Sequence, residues 1–286
     1  MTEIDKGKRK TKSKRFIILV AAIAFLVIAA FAMAEYYAIS TLLSYKQERD
    51  NKSNDLINQS KQTINQASLA ITKSADEIEK RLYLISKGQD FQGLLSEDKS
   101  GALENILKEF KDYRDTYPEV ENIYVGMIDK KMHVYPEVEL PKDYDPTSRP
   151  WYINALNNTE FTWSEPYLDF GTGNSMITLS LPVYNEDEVI GVLSVDLNLD
   201  LIVKEVKDIK FGANGYMIIT DQNGTIIMHP NLEQIGHPLL IEGLGDLISK
   251  EDTGIVKYTY QDKTKMAIYS KVDKMKLNII GFMGEN

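Results

Sequence analysis

Nineteen consecutive residues, Phe16 to Ala34, are apolar and carry no charge. At ~1.5 Å per residue, a helix of that length reaches roughly the 30 Å of a bilayer's hydrocarbon core. The run therefore reads as a transmembrane helix. Seven basic residues, Lys6, Lys8, Arg9, Lys10, Lys12, Lys14 and Arg15, precede it, and Glu35, Tyr36 and Tyr37 follow. Basic residues stay on the cytoplasmic side and tyrosine favours the membrane interface, so the N-terminus is placed in the cytoplasm and the body outside it. The alternative is a cleaved signal peptide, because Ala32-Met33-Ala34 resembles a small-residue cleavage site. The length of the run, beyond the ~7 to 15 residues of a signal h-region, favours the anchor.

An exported body fits the charge balance. Without the seven basic and two acidic residues of the tail, the chain has 26 Lys and Arg against 40 Asp and Glu, a net charge of −14. Such a surface repels nucleic acid and anionic lipid. There is no cysteine, hence no disulfide framework, thiolate metal site or cysteine nucleophile. Stability has to come from packed cores, and the roughly 200 residues beyond the first helix suffice for two modest modules.

No proline occurs before Pro118 and no glycine between Gly7 and Gly88, so the membrane helix can continue into a long polar helix. Along it Ile57, Ile64, Ile71, Ile78 and Ile85 recur every seventh residue, joined by Ala75 and Leu82 at the offset of four. This narrow seam has two readings: packing against the chain's own sheets, or a parallel homodimer interface through the long helix. Lys61 and Ser68 occupy the offset positions in its N-terminal half, and the two readings are compatible.

Past Leu103 to Tyr113, an amphipathic helix, the period changes to two. Ile123 to Ile128 and Met132 to Tyr135 form a predicted strand pair around Asp129-Lys130-Lys131. Trp163 to Leu168, Met176 to Val183 and Val189 to Val195 follow, the last two around Asn185-Glu186-Asp187. The first pattern then recurs. Asn122 to Asp129 with His133, Tyr135 and Pro136 is echoed by Gly215 to Asp221 with His229 and Pro230, which implies two related modules. The second has Asp221-Gln222-Asn223-Gly224 as its turn and further strands at Gly254 to Tyr260, Lys265 to Lys271 and Leu277 to Phe282. Between the modules, Leu197 to Lys207 has helical spacing. The fold class is α+β: a cytoplasmic basic tail (1–15), a transmembrane helix (16–37), a long stalk helix (38–90), and two tandem PAS-like antiparallel-sheet modules (91–200 and 201–286).

The chemistry concentrates in the first module. Tyr144, Arg149, Trp151 and Tyr152, followed by Tyr167, Asp169 and Asp196, combine a guanidinium with phenols and carboxylates. Arg149 suits bidentate carboxylate recognition, the Trp151 N–H and Tyr144 hydroxyl are further donors, Asp169 and Asp196 suit an ammonium, and Tyr152 and Tyr167 suit walls. Together they suit an α-amino acid. The competing reading is a structural Arg149–Asp196 ion pair among core aromatics. With one Arg against two Asp, an amine or polyamine is the alternative ligand, although an unmatched buried guanidinium would be costly.

Other constellations carry less. Gly171-Thr172-Gly173 lacks the Lys-Ser/Thr of a phosphate loop and reads as a turn. His133, His229 and His237 are too scattered for a metal site, and Asp221, Asn223 and Thr225 lack the downstream acidic ligand of a calcium loop. No cofactor or metal is implied. With no Ser-His-Asp signature, His-Glu-x-x-His helix or nucleotide loop, the chain reads as a non-enzyme.

The whole pattern resembles the double Cache sensors, extracytoplasmic pairs of PAS-like sheets on a long N-terminal helix, found in bacterial methyl-accepting chemotaxis receptors and sensor kinases. Tyr144, Arg149-Pro150-Trp151-Tyr152, Tyr167-Leu168-Asp169 and Asp196 are similar to the residue set of an amino-acid-binding subgroup. The resemblance implies that Tyr144, Arg149 and Trp151 take the ligand carboxylate, that Tyr167, Asp169 and Asp196 take the ammonium, and that Tyr152 completes the wall. It implies a chemoreceptor whose ligand signal passes through the long helix. The alternatives are the sensor of a histidine kinase or cyclic-dinucleotide enzyme binding an amine, and a non-sensing dimerisation scaffold. From their residue types, Phe170, Met176 and Tyr124 are further candidates for the wall, and each reads equally well as core. The end at Gly284-Glu285-Asn286, soon after the last predicted strand, has two readings, a sensor fragment of a longer protein, which the abrupt stop favours, and a single-pass Cache protein that works with a partner.

Overall fold

The computed structural model describes residues 3–94, 100–158, 160–169, 172–207, 209, 211, 215–241, 244, 248, 250–260 and 263–284, with side chains in the first helix from residue 19 on. That helix, α1, covers Glu3–Ser86 and takes in both the apolar run and the heptad-spaced isoleucines. Contacts divide the chain at Asn58. In the first unit, 1–58, the large apolar side chains from Leu19 to Tyr45 are exposed: Phe25 is 72% exposed and Leu26 is 66% exposed. Among the described residues this is the one helix long and apolar enough to cross a membrane.

In the second unit, α1 is followed by α2 (Gln89–Gly93), α3 (Ser100–Thr116), β1 (Val120–Met127) and β2 (Met132–Tyr135). A short 3-10 turn at Pro146–Ser148 leads into α4 (Pro150–Asn158). Then come β3 (Thr162–Trp163), β4 (Tyr167–Leu168), β5 (Ser175–Asn185), β6 (Glu188–Asn198), α5 (Leu199–Ile202) and α6 (Lys204–Lys207). The second module contains β7 (Tyr216–Asp221), β8 (Ile226–Met228), β9 (Thr253–Tyr260), β10 (Lys263–Val272) and β11 (Leu277–Phe282). The sheets run β2-β1-β6-β5-β3, with β4 also on β5, and β8-β7-β11-β10-β9. Every pairing is antiparallel, and the matching strand orders give the sequence repeat its structural meaning.

The isoleucine seam is spent inside the chain. Ile64, Ile71, Ala75, Ile78, Leu82 and Ile85 are all buried in the main core with Ile123, Val125, Leu179 and Val195 of the first sheet and Ile219 and Ile279 of the second. From Ile64 onward this stripe therefore packs on the sheets and is closed to a partner helix. Ile57, only half-buried, lies beyond that core.

Two other expectations change. The segment Leu197 to Lys207 is not one helix: Leu197 and Asn198 still pair with Ile177 and Met176 of β5, and helix follows only as the two short pieces α5 and α6. Trp163 to Leu168 is two strands, because Pro166 has no N–H to offer the ladder. Instead the Ser164 N–H donates to the Thr178 carbonyl at 2.8 Å, and the Thr178 N–H to Ser164 Oγ at 2.9 Å.

Candidate functional site

Strand alternation builds the floor of a cavity on the face of the first sheet away from α1. On the core side lie Ile123, Val125, Ile177, Leu179, Leu193 and Val195, all buried. The intervening residues point the other way. Register then sets Asn122, Asp196 and Thr178 side by side on β1, β6 and β5, with Tyr124, Ser194 and Ser180 in the next such row. Asp196 is thus at the centre of a polar floor.

The opposite wall comes from two X-Pro steps. Asp145 and Arg149 each precede a proline, which favours extended backbone, and both are extended, at φ −112°, ψ 104° and φ −84°, ψ 147°. Between them Asp145 caps the Pro146–Ser148 turn by accepting from the Thr147 N–H at 2.9 Å, and Lys130 pairs with it at 2.8 Å. Lys130, then Thr147, hold the Asp145 carboxyl down at about 2. Pro150 opens α4, where its missing N–H costs nothing, and Trp151 follows. The indole lies over Gly126: a Cβ there would approach Trp151 Cη2 to 2.8 Å and Pro146 Cβ to 2.9 Å.

The resulting cavity is about 900 Å³. Tyr144, Arg149, Trp151, Tyr167 and Asp196 line it, together with Tyr124, Thr178 and Asn122. Arg149 is exposed to the cavity mouth, and its guanidinium stacks on the Tyr144 ring at 4.4 Å from the centroid. Trp151 meets Tyr124 edge-to-face at 5.0 Å. Among the described residues no ion pair joins Arg149 to Asp196. The two opposite charges face the cavity without neutralising each other.

Asp196 is instead held by neutral donors. Tyr124 O–H donates to its Oδ1 at 2.9 Å and Thr178 O–H at 2.7 Å. Having spent its proton, the Thr178 oxygen accepts from Tyr167 O–H at 3.2 Å, so a relay Tyr167 to Thr178 to Asp196 forms. Burial raises the Asp196 carboxyl above its ordinary value, and the donors Thr178, Tyr124, Tyr167 and Asn122 oppose that shift. Burial, then the Asp196 charge, pushes the Tyr124 and Tyr167 phenols up, which keeps them protonated donors.

Two of the seven sequence-predicted residues lie elsewhere. Tyr152 is buried behind Trp151 with Ala155 and Val192, a support for the indole that does not line the cavity. The Asp169 carboxylate accepts from the Thr172 N–H at 2.7 Å and the Thr172 hydroxyl at 2.8 Å, and so shapes the turn after β4. Tyr124 does line the cavity, Met176 is buried outside it, and Phe170 and Gly171 are outside the described residues.

Sequence reasoning missed Glu165 and Lys276. They form an ion pair at 3.0 Å on the cavity's lining, although Lys276 belongs to the second module. Lys276 adopts a left-handed φ of 55° after the turn Asp273–Met275, whose Lys274 pairs with Asp76 and, at 2.7 Å, with Glu79 of α1. Glu79 also accepts from Trp163 Nε1–H at 2.8 Å, and Trp163 lines the cavity. One turn thus ties the cavity wall, α1 and the second sheet together. With Asp169 outside the lining and Lys276 and Glu165 within it, two cations face two anions among the described lining residues. The net negative site expected from Arg149, Asp169 and Asp196 is absent there.

A family model for the Cache domain matches residues 51–283. The methyl-accepting chemotaxis protein TlpB of Bacillus subtilis is 30% identical over 248 residues, covering 85% of this chain and 36% of its own length. The chain spans about a third of the length of the curated relatives it matches. Two solved structures share the fold. The ligand-binding domain of the Pseudomonas aeruginosa amino acid chemoreceptor PctB, in complex with L-Arg, superposes with a TM-score of 0.61 at 20% identity, covering 80% of this chain and 95% of that one. The sensory domain of the Campylobacter jejuni chemoreceptor Tlp3 with isoleucine bound gives 0.65 at 21%, covering 80% and 92%.

Proposed function

For this chain, which belongs to the Cache domain family, we propose the role of extracytoplasmic ligand-sensing region of a membrane chemoreceptor, with an L-amino acid as ligand in the cavity of the first module. The observation that carries this reading is the separation of Arg149 and Asp196, opposite charges that face one aromatic-lined cavity and do not pair. The relatives named as methyl-accepting chemotaxis proteins and the solved chemoreceptor domains with amino acids bound support it.

In the bound state Arg149, with Tyr144 and Trp151 beside it, receives the carboxylate, and the ammonium docks on Asp196 within reach of the Tyr167 and Tyr124 hydroxyls. Asp169 contributes by fixing the turn after Tyr167, and Tyr152 by backing Trp151. The equal numbers of cations and anions favour a zwitterion over a polyamine. Occupancy shifts the wall carrying Trp163 and Glu165, and through Glu79, Lys274 and Lys276 biases α1 and the second sheet. A homodimer through α1 would use the face that carries the exposed Leu69 and Leu84, since the isoleucine stripe is occupied.

Thermal unfolding of the purified chain with each of the twenty L-amino acids and a set of common amines tests the reading. A ligand at 100 times its dissociation constant adds about 2.7 kcal/mol of stability. At least one amino acid is expected to produce that shift. Shifts with amines alone, or with no compound, contradict the proposal.

A further inference from the structure

The first cavity, about 900 Å³, is much larger than the α-carbon groups that Arg149 and Asp196 would hold, and its two ends differ in chemistry. One end lies toward β3 and the other toward the edge strand β2, and the order β2-β1-β6-β5-β3 puts Asp196 on the middle strand. Toward β3 the polar groups are matched to one another. Glu165 and Lys276 pair at 3.0 Å, the Asn158 amide donates to the Asn154 carbonyl at 2.8 Å, and Ser164 Oγ donates to the Glu165 carbonyl at 2.8 Å. A charged side chain gains there only by separating Glu165 from Lys276.

The β2 end is apolar. Met132 and Val134 of β2 line it with Val138 and Pro141 of the following loop. Register places Val134 beside Tyr124 and Met132 beside Gly126, the glycine over which the Trp151 indole lies. The apolar surface is therefore continuous with the Tyr124–Trp151 pair of the site itself. Met132 and Val134 are only half-buried and Val138 is 43% exposed, so this surface has contact area left to cover. Neighbouring strands are about 4.8 Å apart, which puts β2 roughly 10 Å from the strand of Asp196. An ammonium docked on Asp196 and a side chain of about three or four carbons span that distance, and a single methyl does not.

Resting on the amino-acid reading of the site, we infer that the β2 end seats the ligand's side chain, and that the preferred ligands carry an aliphatic or thioether side chain of the length of leucine, isoleucine or methionine. Met132, Val134, Val138 and Pro141 set this preference. Burial of apolar surface supplies the selection, since each methylene removed from water is worth roughly fourfold in affinity. A polar or charged side chain gives up water there for apolar neighbours.

The test is calorimetric titration of the full chain in nanodiscs with L-alanine, L-valine, L-leucine, L-isoleucine and L-methionine, and with L-glutamine, L-glutamate and L-lysine as polar side chains of similar length. The best of the three long apolar ligands is expected to bind at least about tenfold more tightly than alanine and than each polar one. Val134→Thr keeps nearly the shape of the side chain and adds a hydroxyl, and Val138→Ser changes an exposed loop position. Each is expected to weaken the long apolar ligand by about threefold or more and to leave alanine within about twofold, a change of ratio that a general loosening of the fold does not produce. Unchanged thermal midpoints verify folding, and Val138→Ser alone decides the matter where Val134→Thr unfolds. Three results would overturn the side-chain seat: a gain over alanine of less than about tenfold; tighter binding of glutamine, glutamate or lysine; or a ratio that neither variant moves. Where binding in those cases still depends on Arg149 and Asp196, the amino-acid reading stands and the seat alone fails. No binding by any amino acid overturns both.

Discussion

Replacing Asp196 with Asn separates what this carboxylate does for a ligand from what it does for the fold. It lies between Asn122 and Thr178 in a cross-strand row and accepts from Tyr124 and Thr178 at Oδ1. An Asn in the same rotamer retains that acceptor and nearly the same shape, so the floor persists. What disappears is the charge, and an NH2 group replaces an acceptor where the ammonium would dock. A charge-assisted hydrogen bond is worth about 1.5–3 kcal/mol, and a buried charge left without its partner costs about 3–5 kcal/mol. For a half-buried site this gives a loss of about 2 to 4 kcal/mol, roughly thirty- to a thousandfold in affinity. Stability moves differently. Because burial raises Asp196, its favourable contribution is present below the ordinary carboxylate range and is lost as pH rises through the folded-state value. Above that value the ionised group is a cost to the unliganded protein, and there Asp196→Asn should be at least as stable as wild type. Titration calorimetry and thermal unfolding measure the two effects. Affinity within about threefold of wild type, where the charge is gone but the shape remains, would refute the ammonium assignment.

Three further predictions concern the same framework. Affinity for an amino acid should fall on acidification at a pH above the usual 3.8 of aspartate, because Asp196 must be ionised to hold an ammonium, whereas Asp196→Asn should show no such dependence; identical profiles in calorimetry across pH would contradict this. Gly126→Ala places a Cβ 2.8 Å from the Trp151 ring, so it should shift the indole, cost about 1–3 kcal/mol by overpacking and weaken binding, and unchanged tryptophan emission and affinity would show that the contact is unimportant. Lys274→Ala leaves Glu79, 13% exposed, with Trp163 as its remaining partner among the bonds described above; it should destabilise the body by about 1–3 kcal/mol, a fall of several degrees in Tm, and an unchanged transition would contradict the proposed tie.

Much of the architecture was legible in the sequence because it depends on local periodicity. Alternation in Ile123–Ile128 and Met176–Val183 marked strands whose inner residues are now buried, and Asp221-Gln222-Asn223-Gly224 announced a turn in which Gly224 takes a φ of 83°. The long helix was visible because neither Pro nor Gly interrupts it. Its partner was not, since an isoleucine stripe looks the same whether it meets another helix or two sheets. Likewise Leu197 and Asn198 had helical spacing, but pairing with β5 outweighs that propensity. At the site, Arg149, Trp151 and Asp196 stood out by residue type. Glu165 and Lys276 did not, because only the packing of the second module on the first brings residues 111 positions apart into contact. Tyr152 and Asp169 show the converse limit: Tyr152, one step beyond Trp151 and so about 100° further round α4, is buried against Val192, and Asp169, two residues after Tyr167, is held in the turn with Thr172.

The central claim is that one cavity reads both charged groups on a single α-carbon, with Arg149 for one and Asp196 for the other. Calorimetric titration with an L-amino acid that binds, with the amine that lacks its carboxylate and with the acid that lacks its ammonium, tests it most directly. Each truncated compound is expected to bind at least about tenfold more weakly than the amino acid, and the affinity of the amine should then be insensitive to Arg149→Ala and that of the acid to Asp196→Asn. An amine or an acid that binds as tightly as the amino acid would contradict the account.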